Sequence, residues 1–305
     1  MNENSKKRVE NLKGNTNMNS LPKEYEGKSE KEIFEKGLSL YSKGEYQAAL
    51  PFFYHIKSKD FEVLKYYHLG LTYVQLGDLD TGLNYYRKIR EIPHQIQGVE
   101  YDRIMYGLYL NMGSTMQVLA KKKGKVLYHE AIECYKLALQ IKEEDPRVWN
   151  NLGNAYIELD EYTQAIDSLK RALELDEEYS EAHYSISLAY EFSQQYKKAI
   201  YHLRQTLRTK PHNKLILNRI TALEFGTGNF KEAKEIAERV LSLDENNPVA
   251  LKNLALICYN LQEYPTAFAY YQKFITLEPD FNDKQVVGIF RDLEKKVKFT
   301  TVKRK

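Results

Sequence analysis

The second half of the sequence repeats itself every 34 residues, and this period limits the fold more than any other feature of the chain. Equivalent segments begin at residues 146, 180, 214 and 248. The same small residue returns at the same place in each segment, as Ala165, Ala199, Ala233 and Ala267. A fixed period of this length predicts similar supersecondary units stacked along the chain rather than one irregular core.

Each unit has the pattern of two amphipathic helices. In 146–179, two apolar stripes at helical spacing are separated by Asp160 and Glu161, which predicts a helix, a tight turn and a second helix. Gly153 lies on the packing side of the first helix and leaves room for its neighbour. Neither helix can bury its apolar face alone, so we expect each hairpin to pack against the next. The first stripe consists of Trp149, Leu152, Tyr156 and Leu159, and the second of Tyr162, Ala165, Ile166, Leu169, Ala172 and Leu173.

The spacing Trp149-x2-Leu152-Gly153-x2-Tyr156, followed by Ala165-x3-Leu169, resembles the tetratricopeptide repeat (TPR), a helix–turn–helix unit of 34 residues. The resemblance implies an all-α TPR solenoid, a right-handed superhelix of helical hairpins. Seven copies can be aligned, at about 30–62, 63–96, 106–145, 146–179, 180–213, 214–247 and 248–281.

The third copy departs from the pattern. It follows a nine-residue spacer, 97–105, and fits only with a six-residue insertion. Helix-forming residues flank both, so we expect a long first helix that protrudes. Four of the five residues from Lys121 to Lys125 are lysines, which we interpret as a solvated loop between the two helices. Contact with an acidic partner or a phosphate group is the alternative.

The two ends of the chain differ in composition from the repeats. Residues 1–28 carry almost no large apolar side chains, which predicts a disordered tail, with a partner-binding arm as the alternative. Ser29 and Glu32 have the spacing of a capping box that begins the fold. An apolar stripe in 282–297 predicts a helix that caps the last repeat. Residues 298–305 form a short basic tail.

Composition narrows the functional classes. The net charge of +3 is too small to indicate a nucleic-acid partner. Cys134 and Cys258 lie far apart in the repeat map, so we expect no disulfide and a reducing compartment.

The most apolar run, 254–259, is far shorter than the roughly 20 residues that a membrane span requires. No apolar segment follows the basic N-terminal residues, so a secretory signal is not indicated. We therefore expect a cytoplasmic protein without a membrane partner.

The sequence contains no catalytic motif that we recognise. It has no phosphate-binding loop, no dinucleotide glycine pattern and no His-Glu-x-x-His. His183 occupies the place of Trp149 in its own repeat, and Cys258 the place of Tyr156, so both are expected to be packing residues. We expect a protein that is not an enzyme and that needs no metal and no cofactor.

The resemblance implies binding to another protein. In TPR arrays the first helices of successive repeats line a concave groove that holds a peptide or a helix of a partner. Asparagine amides can donate to and accept from an extended backbone, and aromatic and arginine side chains are frequent hot spots. Such a mixture favours a peptide that carries some negative charge. The residues that we expect to contact a partner are Asn111, Asn150, Asn154, Tyr184, Arg219 and Asn253.

The sequence bears on three other functions. Some TPR domains clamp the C-terminal carboxylate of heat-shock chaperones with a Lys–Asn–Asn–Lys–Arg set. The same places here lack both lysines and the second asparagine, which argues against that ligand. A regulatory or accessory subunit of a catalytic complex remains an alternative. An RNA-binding helical repeat is disfavoured, because no paired side-chain code recurs at fixed positions. The chaperone-clamp positions are held by Asn150, Asn154, Ser185, Leu215 and Arg219.

Overall fold

The computed structural model describes residues 21–92 and 98–302, with side chains as far as residue 297. These residues form fifteen α-helices and two short 3₁₀ helices, and they contain no strand. The helices of the first three hairpins are α1 (Glu30–Ser42), α2 (Tyr46–His55), α3 (Glu62–Gln75), α4 (Leu79–Glu91), α5 (Val99–Lys123) and α6 (Val126–Ile141). The next are α7 (Pro146–Glu158), α8 (Tyr162–Leu175), α9 (Ser180–Phe192), α10 (Tyr196–Thr209), α11 (Lys214–Gly226) and α12 (Phe230–Leu243). The last are α13 (Pro248–Asn260), α14 (Tyr264–Leu277) and α15 (Lys284–Val302).

The helices follow one another as hairpins, α1/α2 to α13/α14, and α15 comes after the last of them. The predicted all-α solenoid is therefore confirmed. The chain divides into two compact units between Leu175 and Asp176. The first four hairpins belong to the N-terminal unit, and the other three hairpins and α15 belong to the C-terminal unit.

Polar side chains begin several helices. At the start of α1, the Ser29 hydroxyl accepts a hydrogen bond from the backbone N–H of Glu32, and the Glu32 carboxylate accepts one from the backbone N–H of Ser29. The predicted capping box is thus present. Asn213 and Asn247 cap α11 and α13 in the same manner, each accepting from backbone N–H groups of the first helical turn. These bonds satisfy donors that would otherwise have no partner within the helix.

The tight turn between the two helices of a hairpin uses a left-handed backbone conformation. In six hairpins the second residue after the end of the first helix has a φ angle between 60° and 86°. Glycine adopts this conformation without strain, whereas other residues bring their Cβ too close to the next carbonyl oxygen. Three of the six positions carry a residue other than glycine. The six residues are Gly44, Gly77, Asp160, Gln194, Gly228 and Gln262.

Within a hairpin, a glycine of the first helix faces a large side chain of the second. A Cβ on Gly153 would lie 2.5 Å from Cγ of Leu169, and one on Gly113 would lie 2.6 Å from Cε1 of Tyr135. The predicted role of Gly153 in close helix packing is confirmed by this contact. The same arrangement joins Gly37 to Phe53 and Gly70 to Tyr86.

The third hairpin corrects one prediction. The long first helix is present, since α5 runs for 25 residues from Val99 to Lys123. However, Lys121, Lys122 and Lys123 lie in the last turn of that helix and not in a loop. Only Gly124 and Lys125 connect α5 to α6. Lysine is a good helix former, so the insertion lengthens the helix instead of interrupting it.

Three of these lysines pair with acidic residues of the adjacent repeats. Lys123 pairs with Asp80 of α4, and Lys125 Nζ lies 2.9 Å from Oδ2 of Asp160, in the turn after α7. Lys121 Nζ lies 3.9 Å from Oε1 of Glu158. Three of the four lysines in this cluster are therefore paired with acidic groups of the same chain.

The ends of the structure also differ from expectation. Residues 1–20 of the predicted tail lie outside the described residues, and so do 303–305. Tyr25 is not part of a loose tail, because its ring packs edge-on against Phe52, with the ring centres 5.1 Å apart. At the other end α15 extends to Val302. Its Phe290 stacks on Tyr271 with ring centres 4.1 Å apart, as a terminal capping helix requires.

Candidate functional site

Several first helices of neighbouring repeats contact one another within a unit. Helix α5 contacts both α3 and α7 in the N-terminal unit, and α11 contacts α13 in the C-terminal unit. Side chains that point to the same side of these helices therefore share a surface. We call it the first-helix face of each unit. Five of the six residues predicted to contact a partner lie on these helices, and Tyr184 lies on α9, the first helix of the fifth hairpin.

On the N-terminal unit, polar side chains connect the first helices to each other. The Asn111 Nδ2 group donates to the hydroxyl oxygen of Tyr67, over 3.2 Å, which joins α5 to α3. Gln117 Nε2 donates to the backbone oxygen of Asn151, over 3.1 Å, which joins α5 to α7. The structure thus gives Asn111, a predicted partner-binding residue, a hydrogen bond within the protein.

Asn150 and Asn154 lie one turn apart on α7. Asn154 is half-buried. Asn150 is only 6% exposed, and its Oδ1 atom is buried without a hydrogen-bond partner. A buried acceptor in this state costs about 1–3 kcal/mol of folding free energy, because it loses water and gains nothing in return.

On the C-terminal unit the predicted residues lie on three helices, Tyr184 on α9, Arg219 on α11 and Asn253 on α13. All three are half-buried. Arg219 is not a free cation, because its Nε donates to Oε2 of Glu191 over 2.7 Å. Glu191 lies on α9, so this ion pair joins two first helices of the C-terminal unit.

Asn218 is a residue of this face that was left out of the predicted contact set. It occupies the same repeat position as Asn150, and its Oδ1 atom is likewise buried and without a partner. Its Nδ2 group donates to Oδ1 of Asn247 over 3.4 Å. Leu215 and Val249, at the start of α11 and α13, are 67% and 45% exposed and add apolar surface.

The prediction therefore divides into two groups of residues. Asn111, Asn150 and Asn154 share the face of the N-terminal unit, on the contacting helices α5 and α7. Arg219 and Asn253 lie on the contacting helices α11 and α13 of the C-terminal unit. Whether these residues bind a partner stays a prediction.

A charged cluster lies at the start of α7. Asp145 is 3% exposed and accepts hydrogen bonds from the Tyr106 hydroxyl (2.5 Å) and from Nη2 of Arg147 (2.6 Å). Burial opposes the ionised form of Asp145, but the hydrogen bonds from Arg147 and Tyr106 outweigh burial and lower its pKa to about 2. Asp145 is therefore a carboxylate at neutral pH and fixes the end of the helix that carries Asn150.

His183 and Cys258 are packing residues, as predicted, and Cys134 is buried as well. His183 is 8% exposed, and its Nδ1 lies 2.9 Å from Nδ1 of His202. Burial lowers the pKa of His183. Cys134 and Cys258 are buried free thiols, and burial raises their pKa values to about 11 and about 12. Neither thiol is poised for nucleophilic chemistry at neutral pH.

The described residues lack two kinds of feature. In residues 21–92 and 98–302, no helix is long and apolar enough to cross a membrane. Across the same part of the chain, no three His, Cys, Asp or Glu side chains are grouped so that they could hold a metal ion.

Family models match four stretches of the chain. Models described as tetratricopeptide repeat match residues 66–92, 146–179 and 223–280, and a model described as TPR repeat matches residues 127–160. A curated protein from Bos taurus, "BBSome complex member BBS4", is 29% identical over 205 residues. That match covers 67% of this chain and 37% of the relative, so the chain spans little more than a third of the relative's length.

Solved structures show the same fold. MamA protein superposes with a TM-score of 0.52 at 25% identity, covering 61% of this chain and 93% of that one. The C-terminal part of a TPR repeat-containing protein from Cytophaga hutchinsonii superposes with a TM-score of 0.66 over 84% of this chain and 98% of its own. At 16% identity, the second likeness concerns the fold alone.

Proposed function

This chain is a tetratricopeptide repeat protein, and we propose that it is a non-catalytic scaffold whose first-helix face binds a peptide or a helix of a partner protein. The family models and the array of hairpins support a role in protein association. The relative from Bos taurus, described as a member of a complex, supports the same role.

The buried oxygens of Asn150 and Asn218 carry the proposal. Among the described residues, three buried side-chain polar atoms have no hydrogen-bond partner. Two of them are these asparagine oxygens, at the same repeat position on first helices. If the side chain turns on binding so that this oxygen faces the peptide, a backbone N–H of the peptide can donate to it, and binding would recover the free energy that burial costs.

The chemistry of the two faces favours a peptide that is not strongly acidic. Glu191 neutralises Arg219, which removes the main reason to expect an acidic partner on the C-terminal unit. The exposed Leu215 and Val249 offer apolar contacts beside Asn218. An extended or helical segment with apolar anchors and free backbone donors fits these groups better than a charged tail.

The test uses peptides selected from a random library against the purified chain and compares two matched variants. Asn150→Leu keeps the branching at Cγ but removes the buried acceptor. We expect it to weaken binding at least tenfold while raising the free energy of unfolding by about 1 kcal/mol, because the acceptor is no longer buried unpaired. A purely structural asparagine would not lose binding and gain stability together.

The control is Asn84→Leu, the same chemical change at an exposed position of the second helix α4. It should alter neither binding nor stability. Selected peptides that bind Asn150→Leu as tightly as the native chain would remove the N-terminal unit's face from the proposal. Asn218→Leu applies the same test to the C-terminal unit.

Membership of a larger assembly is the second candidate. The relative from Bos taurus, named as a complex member, favours it, although this chain spans only part of that protein. Under this proposal the full chain, tagged and purified under native conditions, co-purifies with other subunits in fixed ratio. Recovery of the chain alone at native concentration would argue against it.

A further inference from the structure

In two repeats, an aromatic ring of the second helix lies between two rings of the first helix. In the second repeat, Tyr85 stacks on Tyr66 and on Tyr73, with ring centres 6.0 Å and 5.6 Å away. The outer two residues are seven apart on α3, which is about two helical turns, so one ring fits between them. The second helix thus supplies the middle ring of a three-ring stack.

The fifth repeat has the same arrangement. His202 of α10 lies between His183 and Tyr190 of α9, with ring centres 5.2 Å and 5.5 Å away. Tyr85 and His202 each stand twelve residues after the second outer ring. A second-helix ring next to two first-helix rings therefore occurs in two repeats, with the His183 ring tilted by 35° to His202 rather than stacked on it.

The fourth repeat has the outer rings without the middle one. Trp149 and Tyr156 are also seven residues apart on α7. Twelve residues after Tyr156 stands Ser168, whose hydroxyl donates to the backbone oxygen of Gln164 over 2.9 Å. A serine reaches only a short way from the helix, so the place that Tyr85 and His202 fill elsewhere is not filled here by its own second helix.

The structure shows the resulting space. A groove of about 760 Å³ lies over α7, between α6 and α8, and belongs wholly to the N-terminal unit. Its walls include the two aromatic residues and three aliphatic ones, and polar groups also line it. The residues that matter to the argument are Lys136, Leu139, Ile141, Trp149, Tyr156 and Ser168.

The second repeat also shows what surrounds a ring in this place. The Tyr85 hydroxyl lies 2.9 Å from the hydroxyl of Tyr54. In the sequence, Tyr54 directly follows Phe53, the residue that packs on Gly37. In the third repeat, Lys136 directly follows Tyr135, which packs on Gly113, so Lys136 takes the position of Tyr54. Lys136 is exposed and pairs with Glu133 over 2.9 Å, and its ammonium group has further donors for a phenol oxygen.

In the second repeat a cation lies over the ring of Tyr85, and the fourth repeat has a cationic residue at the equivalent position. Lys88 Nζ is 4.9 Å from the centre of the Tyr85 ring, and it follows Tyr85 by three residues. Arg171 follows Ser168 by three residues and is partly exposed, with Glu143 and Glu174 as ion-pair partners. The two outer rings and the group at the polar end of the missing ring therefore have counterparts that line the groove, and the cation has its counterpart in Arg171 on α8.

We propose that this groove binds a tyrosine side chain of a partner protein, with the ring inserted between Trp149 and Tyr156. Offset stacking on both faces favours a flat aromatic ring over a branched aliphatic side chain of similar size. Lys136 then donates to the phenol oxygen, as Tyr54 is placed to do for Tyr85. The site lies on the side of the second helices and does not depend on the partner proposed for the first-helix face.

Trp149 makes the proposal directly testable, because it is the single tryptophan of the chain and lines the groove. Selective excitation of tryptophan in the full chain reports on this site alone. Titration with N-acetyl-tyrosinamide should give a saturable change in Trp149 emission, and N-acetyl-leucinamide should need at least about a tenfold higher concentration. No saturable response to the tyrosine probe, or an equal response to both probes, would overturn the proposal.

The variant Ser168→Tyr tests the space without any ligand, since it supplies the missing ring from α8 itself. We expect the melting temperature to rise by about 2–4 °C, because the ring gains two stacking partners. The response to N-acetyl-tyrosinamide should disappear. A lower melting temperature would show that the groove does not accept a ring and would sink the idea.

Two controls separate this site from the rest of the molecule. Ser168→Ala leaves the groove open and should keep the response to the tyrosine probe. Asn154→Ala alters the first-helix face and should also keep it, even if that variant loses the selected peptides. Loss of the probe response in Asn154→Ala would mean that the two surfaces are not distinct, and the groove would lose its separate role.

Discussion

Asp145 is a single residue whose charge depends on its neighbours. Its pKa lies at about 2, below the ordinary value of 3.8, so the folded state favours the carboxylate more than the unfolded state does. The stability that this shift provides is complete above about pH 4 and is lost as the pH falls through about 2. Asp145 also begins α7, so its loss would loosen the helix that carries Asn150.

This gives a first prediction. Asp145→Ala should lower the free energy of unfolding at pH 7 by about 1 kcal/mol or more, because it removes both a helix cap and a partner of Arg147. The difference from the native chain should shrink as the pH falls from 4 towards 2. Urea unfolding across this pH range measures it, with Asp167→Ala, an exposed aspartate of α8, as control. A difference that does not change with pH would assign the effect to the cap alone.

A second prediction concerns backbone strain at one residue. Gln262 has a φ angle of 62°, at the turn position where three other hairpins have glycine. Gln262→Gly should raise the free energy of unfolding by about 0.5–1 kcal/mol, since relief of the strain exceeds the added flexibility of the unfolded chain. Gln262→Ala removes the same side chain but keeps a Cβ, so it should give no gain. Equal effects in the two variants would show that the turn is not strained.

At the scale of the helix, the close approach of the two helices in a hairpin depends on glycine. A Cβ on Gly70 would overlap the ring of Tyr86, which is completely buried. Gly70→Ala should therefore destabilise the chain by about 1–3 kcal/mol, the usual cost of overpacking. Gly288 in α15 has open space around it, so Gly288→Ala should instead stabilise by up to about 1 kcal/mol. Thermal melts of both variants test the contrast, and two losses of similar size would contradict it.

The element scale also shows what the sequence could and could not predict. The repeated apolar positions determined which helices pair, because each stripe has only one way to be buried within a hairpin. The sequence predicts a loop for the lysines at the end of α5, because their charge and the inserted residues favour exposure to solvent. Their helical conformation depends on propensity and on ion pairs to Asp80 and Glu158, which are distant in sequence. Such pairings cannot be read from a local pattern.

The candidate site was predictable to a similar degree. The repeat register placed Asn150, Tyr184 and Arg219 on first helices correctly. It could not show that Arg219 pairs with Glu191, because long side chains choose among several rotamers and neighbours. It also could not show that Asn150 Oδ1 is buried without a partner, which depends on the packing of α7 against the rest of its unit.

At the scale of the whole molecule, a chain of repeats sums its stability from local terms. In such an array each repeat interacts mainly with its neighbours, so distant changes act independently. Asn150 belongs to the N-terminal unit and Asn218 to the C-terminal unit. The free energy that each buried oxygen costs should therefore depend only on the residues around it.

The last prediction follows from that independence. The change in unfolding free energy of the double variant Asn150→Leu with Asn218→Leu should equal the sum of the two single changes within about 0.5 kcal/mol. The effect of Asn218→Leu alone should be the smaller gain, because it also removes the hydrogen bond from its Nδ2 to Asn247. Urea unfolding of the four proteins in one buffer measures this cycle. A coupling well above 0.5 kcal/mol would show that the two positions are not energetically independent.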